Sequence, residues 1–217
     1  MSPQSQFHEQ DFGLIETLLW SKGQGFTLLD YHVARLAASA QSLDFSLNLV
    51  EFEAALARAV QNLPSGQHFR VRAVLQRGGA INVTQTRIQE GTPGVVWRVA
   101  MAQTRFDSTW PLLRHKTTLR ALYEDEFADA GKRGADEVMF INERGELCEG
   151  ARCNIFVKRG DVLLTPALAC GLLPGTLRAQ LLLSGQAQEA ILAPADLTDA
   201  EWYMGNSVRG LVRAELI

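Results

Sequence analysis

The sequence holds little that would tie it to a membrane, a nucleic acid or the cell exterior. Its three cysteines (Cys148, Cys153, Cys170) form neither an even set nor a C-x-x-C pair. That argues against a disulfide framework and for a reducing compartment. Cys148 and Cys153 lie in an apolar, strand-like stretch and read as small buried side chains. No apolar run approaches the roughly 20 residues that a membrane span needs. The opening MSPQSQFHEQDFG is polar, with no apolar signal core, so a cytoplasmic location is expected. The 21 Lys and Arg nearly balance the 24 Asp and Glu, leaving a formal net charge of −3 without any basic stripe. Charge therefore gives no argument for a nucleic acid or an anionic membrane as partner. Internal repeats and low-complexity segments are missing, and no metal site is expected.

What is present is ordinary globular material, 47% hydrophobic and 21% charged. Residues 14–20 (LIETLLW) read as a strand, turned by Gly23-Gln24-Gly25 into a short strand at 26–29. Asp30 is a plausible N-cap. Val33, Leu36, Ala37, Ala40 and Leu43 then recur at helical spacing, and a second helix fits 50–63, stopped by Pro64-Ser65-Gly66. Phe69, Val71, Ala73 and Leu75 alternate with Arg70, Arg72 and Gln76, as in a half-buried strand. Gly78-Gly79 turns it into a partner at 81–88, and another strand follows at 95–102. The polar stretch 103–113 reads as an interdomain connection. Beyond it come a helix at 118–130, short strands at 137–142, 146–149, 153–158 and 162–165, a helix from Gly175, and strands near 189–192 and 202–206. This predicts two domains, a small α/β domain over 1–104 and a larger one over 105–217.

Four features in the second half could carry chemistry. Lys116, in HKTT, stands where an irregular segment meets a helix; it could equally be one solvated lysine among many. In NERGELCEG the return strand of a hairpin carries Glu149, which could be a plain exposed carboxylate. In LLPGTLR a Pro-Gly opens a helix. Helix starts present N–H groups and a positive dipole end that suit a phosphate, yet the same residues make an ordinary turn. GNSVRG is a small-residue loop after an aromatic strand, readable as a simple turn as well.

Order and spacing change the balance. The run KTTLRALYE…ADEVMFINERGELCEGARCNIFV…LLTPALACGLLPGTLR…YMGNSVRGLV resembles the class IV aminotransferases, the fold-type IV enzymes of pyridoxal 5′-phosphate (PLP). That family includes branched-chain and D-amino-acid aminotransferases and 4-amino-4-deoxychorismate lyase. FGLIETLLW and YHVARLAASAQSLDF resemble it more loosely, so the likeness covers nearly the whole chain. The most specific pairing is E-G-x-x-x-N at 149–154 with L-P-G at 173–175.

The resemblance implies a two-domain α/β, α+β architecture with a small N-terminal domain and a larger, barrel-like C-terminal one. It implies PLP as cofactor, a small amino compound as substrate, and a homodimer. Lys116 matches the Schiff-base lysine and Glu149 the carboxylate paired with the pyridine nitrogen. Arg35, in H-x-x-R-L, matches an arginine that reaches the cofactor phosphate. Thr176 and Leu177 match positions whose backbone N–H groups bind that phosphate, and Asn206 and Ser207 match the loop closing over it. Asn154 is expected to support the Glu149 strand.

These residue types suit the chemistry. A carboxylate favours the protonated ring nitrogen that an electron sink needs, a lysine amine can join the aldehyde, and arginine with helix N–H groups holds a phosphate by charge-assisted hydrogen bonds. Departures exist too. A tyrosine common five positions after the lysine in the branched-chain branch is Ala121 here, with Tyr123 two further on, and Arg120 resembles the lyase branch. The usual first strand before Asp11 is expected to be missing, trimming the N-terminal domain. Three functions therefore compete: aminotransferase, lyase releasing pyruvate from 4-amino-4-deoxychorismate, and a non-catalytic PLP-binding protein.

Overall fold

The computed structural model describes residues 12–89, 91 and 94–217. The expectation about a strand before Asp11 lies outside these residues. Two compact units divide them: an N-terminal unit of 12–89, 91 and 115–119, and a C-terminal unit of 94–114 and 120–217. No helix among the described residues is long and apolar enough to cross a membrane.

The N-terminal unit is an antiparallel sheet covered by two helices. Strands β1 (Leu14–Ser21), β2 (Gly25–Phe26), β3 (His68–Leu75) and β4 (Ile81–Ile88) lie in the order β2-β1-β3-β4. The expected alternation in β3 is real, since Phe69, Val71, Ala73 and Leu75 all enter one core. That core also takes Leu14, Leu18 and Trp20 from β1, Leu36 and Ala40 from α1 (Leu29–Ser42), and Phe52, Leu56 and Val60 from α2 (Leu49–Val60). Helix α2 starts where Asn48 accepts the Glu51 N–H at 3.2 Å, a side-chain cap for an otherwise orphaned donor. Helix α1 starts differently from expectation. Leu28, not Asp30, is its N-cap, in a left-handed conformation, and Asp30 sits in the first turn facing the dipole. The β3–β4 hairpin turns at Gly79, whose φ of 93° suits a residue without Cβ.

The C-terminal unit is an eight-stranded sheet ordered β10-β9-β8-β11-β12-β5-β6-β7, with an additional β7–β8 pairing. That pairing closes six strands into a barrel: β5 (Val96–Phe106), β6 (Glu137–Asn142), β7 (Leu147–Gly150), β8 (Asn154–Arg159), β11 (Trp202–Asn206) and β12 (Gly210–Leu216). Strands β9 (Val162–Pro166) and β10 (Ala187–Ala190) extend from β8. Val99, Met139, Leu147, Ile155, Met204 and Ala214, one from each barrel strand, share one buried cluster, which fills the barrel. Ala100, Val138, Phe140 and Cys148 face the other way and pack with Leu122, Phe127 and Ala130 of α3 (Ala121–Lys132). Helix α4 (Thr176–Leu183) contributes Leu177 and Leu181 to a smaller cluster with Phe156 and Ala187. All three cysteines are free and buried, Cys148 and Cys153 as expected and Cys170 with them.

Three further expectations need correction. The division at 104 falls inside β5, which continues to Phe106. Residues 103 and 104 look like a linker because they form a bulge. Between Met101 and Arg105 the strand takes more residues than β6 does, and Glu126 of α3 accepts the Gln103 and Thr104 N–H groups at 3.0 and 2.8 Å. The helix expected at 118–130 begins at Ala121, because 115–119 is drawn to β1 instead. Finally, β12 was not expected at all.

Candidate active site

Lys116 is fixed by its backbone. Its carbonyl accepts the Ile15 N–H at 2.7 Å, Thr118 N–H donates to the Gly13 carbonyl at 2.9 Å, and Gly13 N–H returns to Thr118 Oγ1 at 3.0 Å. Leu14 and Thr117 form an antiparallel bridge. Next to it, His115 Nδ1 meets Ser39 Oγ of α1 at 2.9 Å. A lysine met in an irregular stretch is thus a strand-like position tied to β1 and α1.

The same unit holds Arg35, which the structure places in a buried ionic cluster. Arg35 donates Nε to Glu16 Oε1 at 2.9 Å and Nη2 to Glu16 Oε2 at 2.6 Å, and His32 Nδ1 lies 2.6 Å from that second oxygen. Glu16 and His32 are each 1% exposed. Burial alone would push the Glu16 carboxyl up. The Arg35 charge and the hydrogen bonds from His32 and Arg35 outweigh it and hold the group at about 2. Burial pushes His32 down; the Glu16 contacts oppose this, while the Arg35 and Lys116 charges add to it. Sequence reading missed Glu16 and His32. The signal was a lone acid in the apolar LIETLLW and a histidine three before Arg35, on one helix face.

This cluster has a pH signature. Glu16 has a folded value below its ordinary 4.5, so its contribution is present above that value and is lost as pH falls toward 2. Glu16→Gln is expected to cost about 3 kcal/mol at pH 7, because it breaks a buried pair. At pH 3 the difference from wild type should shrink by more than half. Urea unfolding of both proteins at the two pH values checks this; an equal difference at both would mean that Glu16 is not held ionised.

In the C-terminal unit, Glu149 is 5% exposed, near the end of β7. Met139 pairs with Gly150 and Ile141 with Leu147, so β7 spends three steps against two on β6. The extra residue is a bulge, which re-aims side chains. Leu147 points into the barrel, whereas Glu149 reaches Tyr123 of α3. Tyr123 Oη donates to Glu149 Oε1 at 2.9 Å and Leu173 N–H donates to Oε2 at 3.1 Å.

Asn154, the register partner of Glu149 across β7–β8, donates to the Leu173 carbonyl at 3.0 Å. One residue, Leu173, is therefore gripped at its N–H by Glu149 and at its carbonyl by Asn154. This extends the expected supporting role of Asn154 to the Leu-Pro-Gly turn. A Cβ at Gly175 would collide with the Asn154 amide, which explains a glycine there. Thr176 and Leu177 follow as the first two residues of α4, which has no side-chain cap at Gly175.

Asn206 builds its own loop. Its Oδ1 accepts the Val208 and Arg209 N–H groups at 2.9 Å each, and its Nδ2 donates to the Arg152 carbonyl at 3.2 Å. A Cβ at Gly205 would come within 3.1 Å of Leu177. The end of β7 with Glu149, the start of α4 with Thr176 and Leu177, and the Asn206–Ser207 loop are thus knit together within the C-terminal unit. Lys116 and Arg35 belong to the N-terminal unit.

Each unit by itself offers groups that suit part of a molecule with an aldehyde, a basic ring nitrogen and a phosphate: an amine at Lys116 and a guanidinium at Arg35 in the N-terminal unit, and a buried oriented carboxylate at Glu149 and a helix start at 176–177 in the C-terminal unit. The Tyr123 and Leu173 donors, on opposite oxygens, orient the Glu149 carboxylate.

Comparison with known proteins shows the family and the fold. A family model for amino-transferase class IV matches residues 13–217. A Schizosaccharomyces pombe (strain 972 / ATCC 24843) protein, provisionally named an aminodeoxychorismate lyase, is 31% identical over 215 residues, covering 96% of this chain and 91% of its own. The crystal structure of a provisionally named amino-acid aminotransferase from Mesorhizobium loti is similar with a TM-score of 0.91 at 42% identity, over 95% of this chain and 100% of that one. A hypothetical aminotransferase from Mycobacterium tuberculosis, in its PLP-bound form, shares the fold with a TM-score of 0.81 at 23% identity, over 94% of this chain and 81% of that one.

Proposed function

The chain belongs to the class IV amino-transferase family, and on that premise we propose that it is a PLP-dependent aminotransferase acting on an amino acid or related small amino compound. The observation that supports this best is Glu149, a buried carboxylate set by Tyr123 and Leu173 beside the start of α4. When bound, PLP supplies an electron sink for the bonds at the substrate's Cα. Lys116 would hold the cofactor covalently through its aldehyde carbon, and its freed amine would then move the Cα proton. Glu149 would keep the ring nitrogen protonated. Arg35, the backbone N–H groups of Thr176 and Leu177, and the Asn206–Ser207 loop would hold the phosphate. Glu16 would then keep the Arg35 guanidinium in place. We assign the protein to the cytoplasm and to a homodimer, which size-exclusion chromatography with light scattering tests.

A second reading has specific support. Arg120 and Ala121 resemble the lyase branch, and the S. pombe relative carries a lyase name. In that reading Lys116 and Glu149 keep their roles and the product is pyruvate, released from 4-amino-4-deoxychorismate. One assay separates the two. The proposed reading predicts that an amino donor and a 2-oxo acid give a new amino acid, detected by chromatography. Pyruvate formed from 4-amino-4-deoxychorismate alone, without transamination, would favour the lyase. Neither product would contradict both.

A further inference from the structure

The Tyr123 side chain is half-buried and held by three neighbouring side chains. Its ring meets Phe106 and Phe140 edge-on, at centroid distances of 5.4 and 5.3 Å. The Arg120 guanidinium lies over it, 4.8 Å from the centroid. Arg120 is itself anchored to the Ala151 carbonyl, two residues beyond Glu149 in the same turn, and to Glu124. Ring packing of this kind fixes the plane of a phenol and the direction of its O–H. The hydroxyl ends 2.9 Å from Glu149 Oε1. Burial, then the neighbouring carboxylate, pushes the Tyr123 phenol well above its ordinary range, so it stays a donor at every working pH.

We propose that Tyr123 is the positioning residue for Glu149. Clamped by Phe106, Phe140 and Arg120, it presents a fixed donor that holds the carboxylate in one orientation, so the acceptor for a protonated ring nitrogen is formed before any cofactor arrives. Leu173 N–H supplies the opposite donor, but it rides on a turn that Asn154 also holds; Tyr123 comes from α3 and ties the carboxylate to the helix layer. A donor to a buried carboxylate favours the charged form. Its loss leaves a buried oxygen underserved and more easily protonated, and a protonated Glu149 cannot favour a pyridinium. The proposal rests on the reading of Glu149 as the partner of the PLP ring nitrogen.

Tyr123→Phe removes one hydroxyl and keeps the ring contacts, so the fold is expected to survive, which circular dichroism and a thermal melt check. The test is an absorbance titration of cofactor-stripped full-length protein with PLP, at pH 6 and pH 8. It compares wild type, Tyr123→Phe, Glu149→Gln and the double variant. Tyr123→Phe should weaken PLP binding about tenfold at pH 6, the effect of one lost hydrogen bond to a charged group, and by clearly less at pH 8. In the Glu149→Gln background it should add little, because the coupled partner is already gone. Unchanged affinity at both pH values, or an equal loss with and without Glu149, overturns the positioning role while leaving the cofactor reading intact. A wild-type protein that takes up no PLP overturns both.

Discussion

Replacing Lys116 with alanine is expected to lower turnover by about 10⁴-fold, the upper range for removal of a positioned proton-transfer group. The expectation is this large because one amine would serve twice, as the point of covalent attachment and as the base for the Cα proton. The substitution should leave the fold intact. What holds residues 116–118 against β1 is backbone hydrogen bonding: the Lys116 carbonyl to Ile15, Thr118 to Gly13, and the Leu14–Thr117 bridge. The measurement is steady-state turnover of wild type and variant with matched melting temperatures. Retention of a tenth of wild-type turnover by a well-folded variant would mean that another group moves the proton.

Glu149→Gln should lose about 10²–10³-fold in turnover while still taking up the cofactor. Glutamine matches the shape of glutamate but carries no charge, so it cannot favour a protonated ring nitrogen. The lost charge matters most as charge develops during reaction, so kcat should fall more than KM rises. Stability should fall as well, by roughly 1–3 kcal/mol, because Tyr123 Oη and Leu173 N–H both donate to the carboxylate and the amide nitrogen of glutamine cannot accept. Comparison of kcat, KM and the urea midpoint of the two proteins checks both statements. Unchanged kcat would assign the ring nitrogen to a different partner.

Much of the fold could be read from local pattern, wherever one face of an element is buried and the other wet. Strand β3 is the clearest case, with Phe69, Val71 and Ala73 inside and Arg70 between them outside. The hidden parts are long-range. Strand β12 has only Ala214 buried, and its Leu211 and Leu216 are exposed. It pairs antiparallel with its neighbour β11 and parallel with β5, more than a hundred residues earlier, and its own exposure pattern records neither. Residues 103–104 look like a linker because their donors are satisfied by Glu126, a side chain from another element. The local pattern predicts a helix from 118, but α3 starts at Ala121 because Thr117 is claimed by β1.

The candidate site divides in the same way. Lys116, Glu149 and the Leu-Pro-Gly turn stood out through family resemblance, and the structure places Glu149, Asn154, the start of α4 and the Asn206 loop in one connected network. It gives Arg35 partners that the sequence did not reveal, Glu16 and His32. The bulge that turns Glu149 toward Tyr123 was hidden, since nothing in L-C-E-G marks an extra residue against β6. Tyr123 stood out as a tyrosine displaced from a familiar spacing. Its distance to Glu149 gives it a role that spacing alone did not.

The central claim is that Lys116 is the amine that carries the cofactor. Borohydride reduction of the PLP-treated protein, followed by proteolysis and mass spectrometry, tests it most directly. A pyridoxyl adduct on the peptide containing Lys116 is the predicted result. An adduct confined to Lys22, Lys132 or Lys158, or a protein that remains colourless with PLP and yields no adduct, would contradict it.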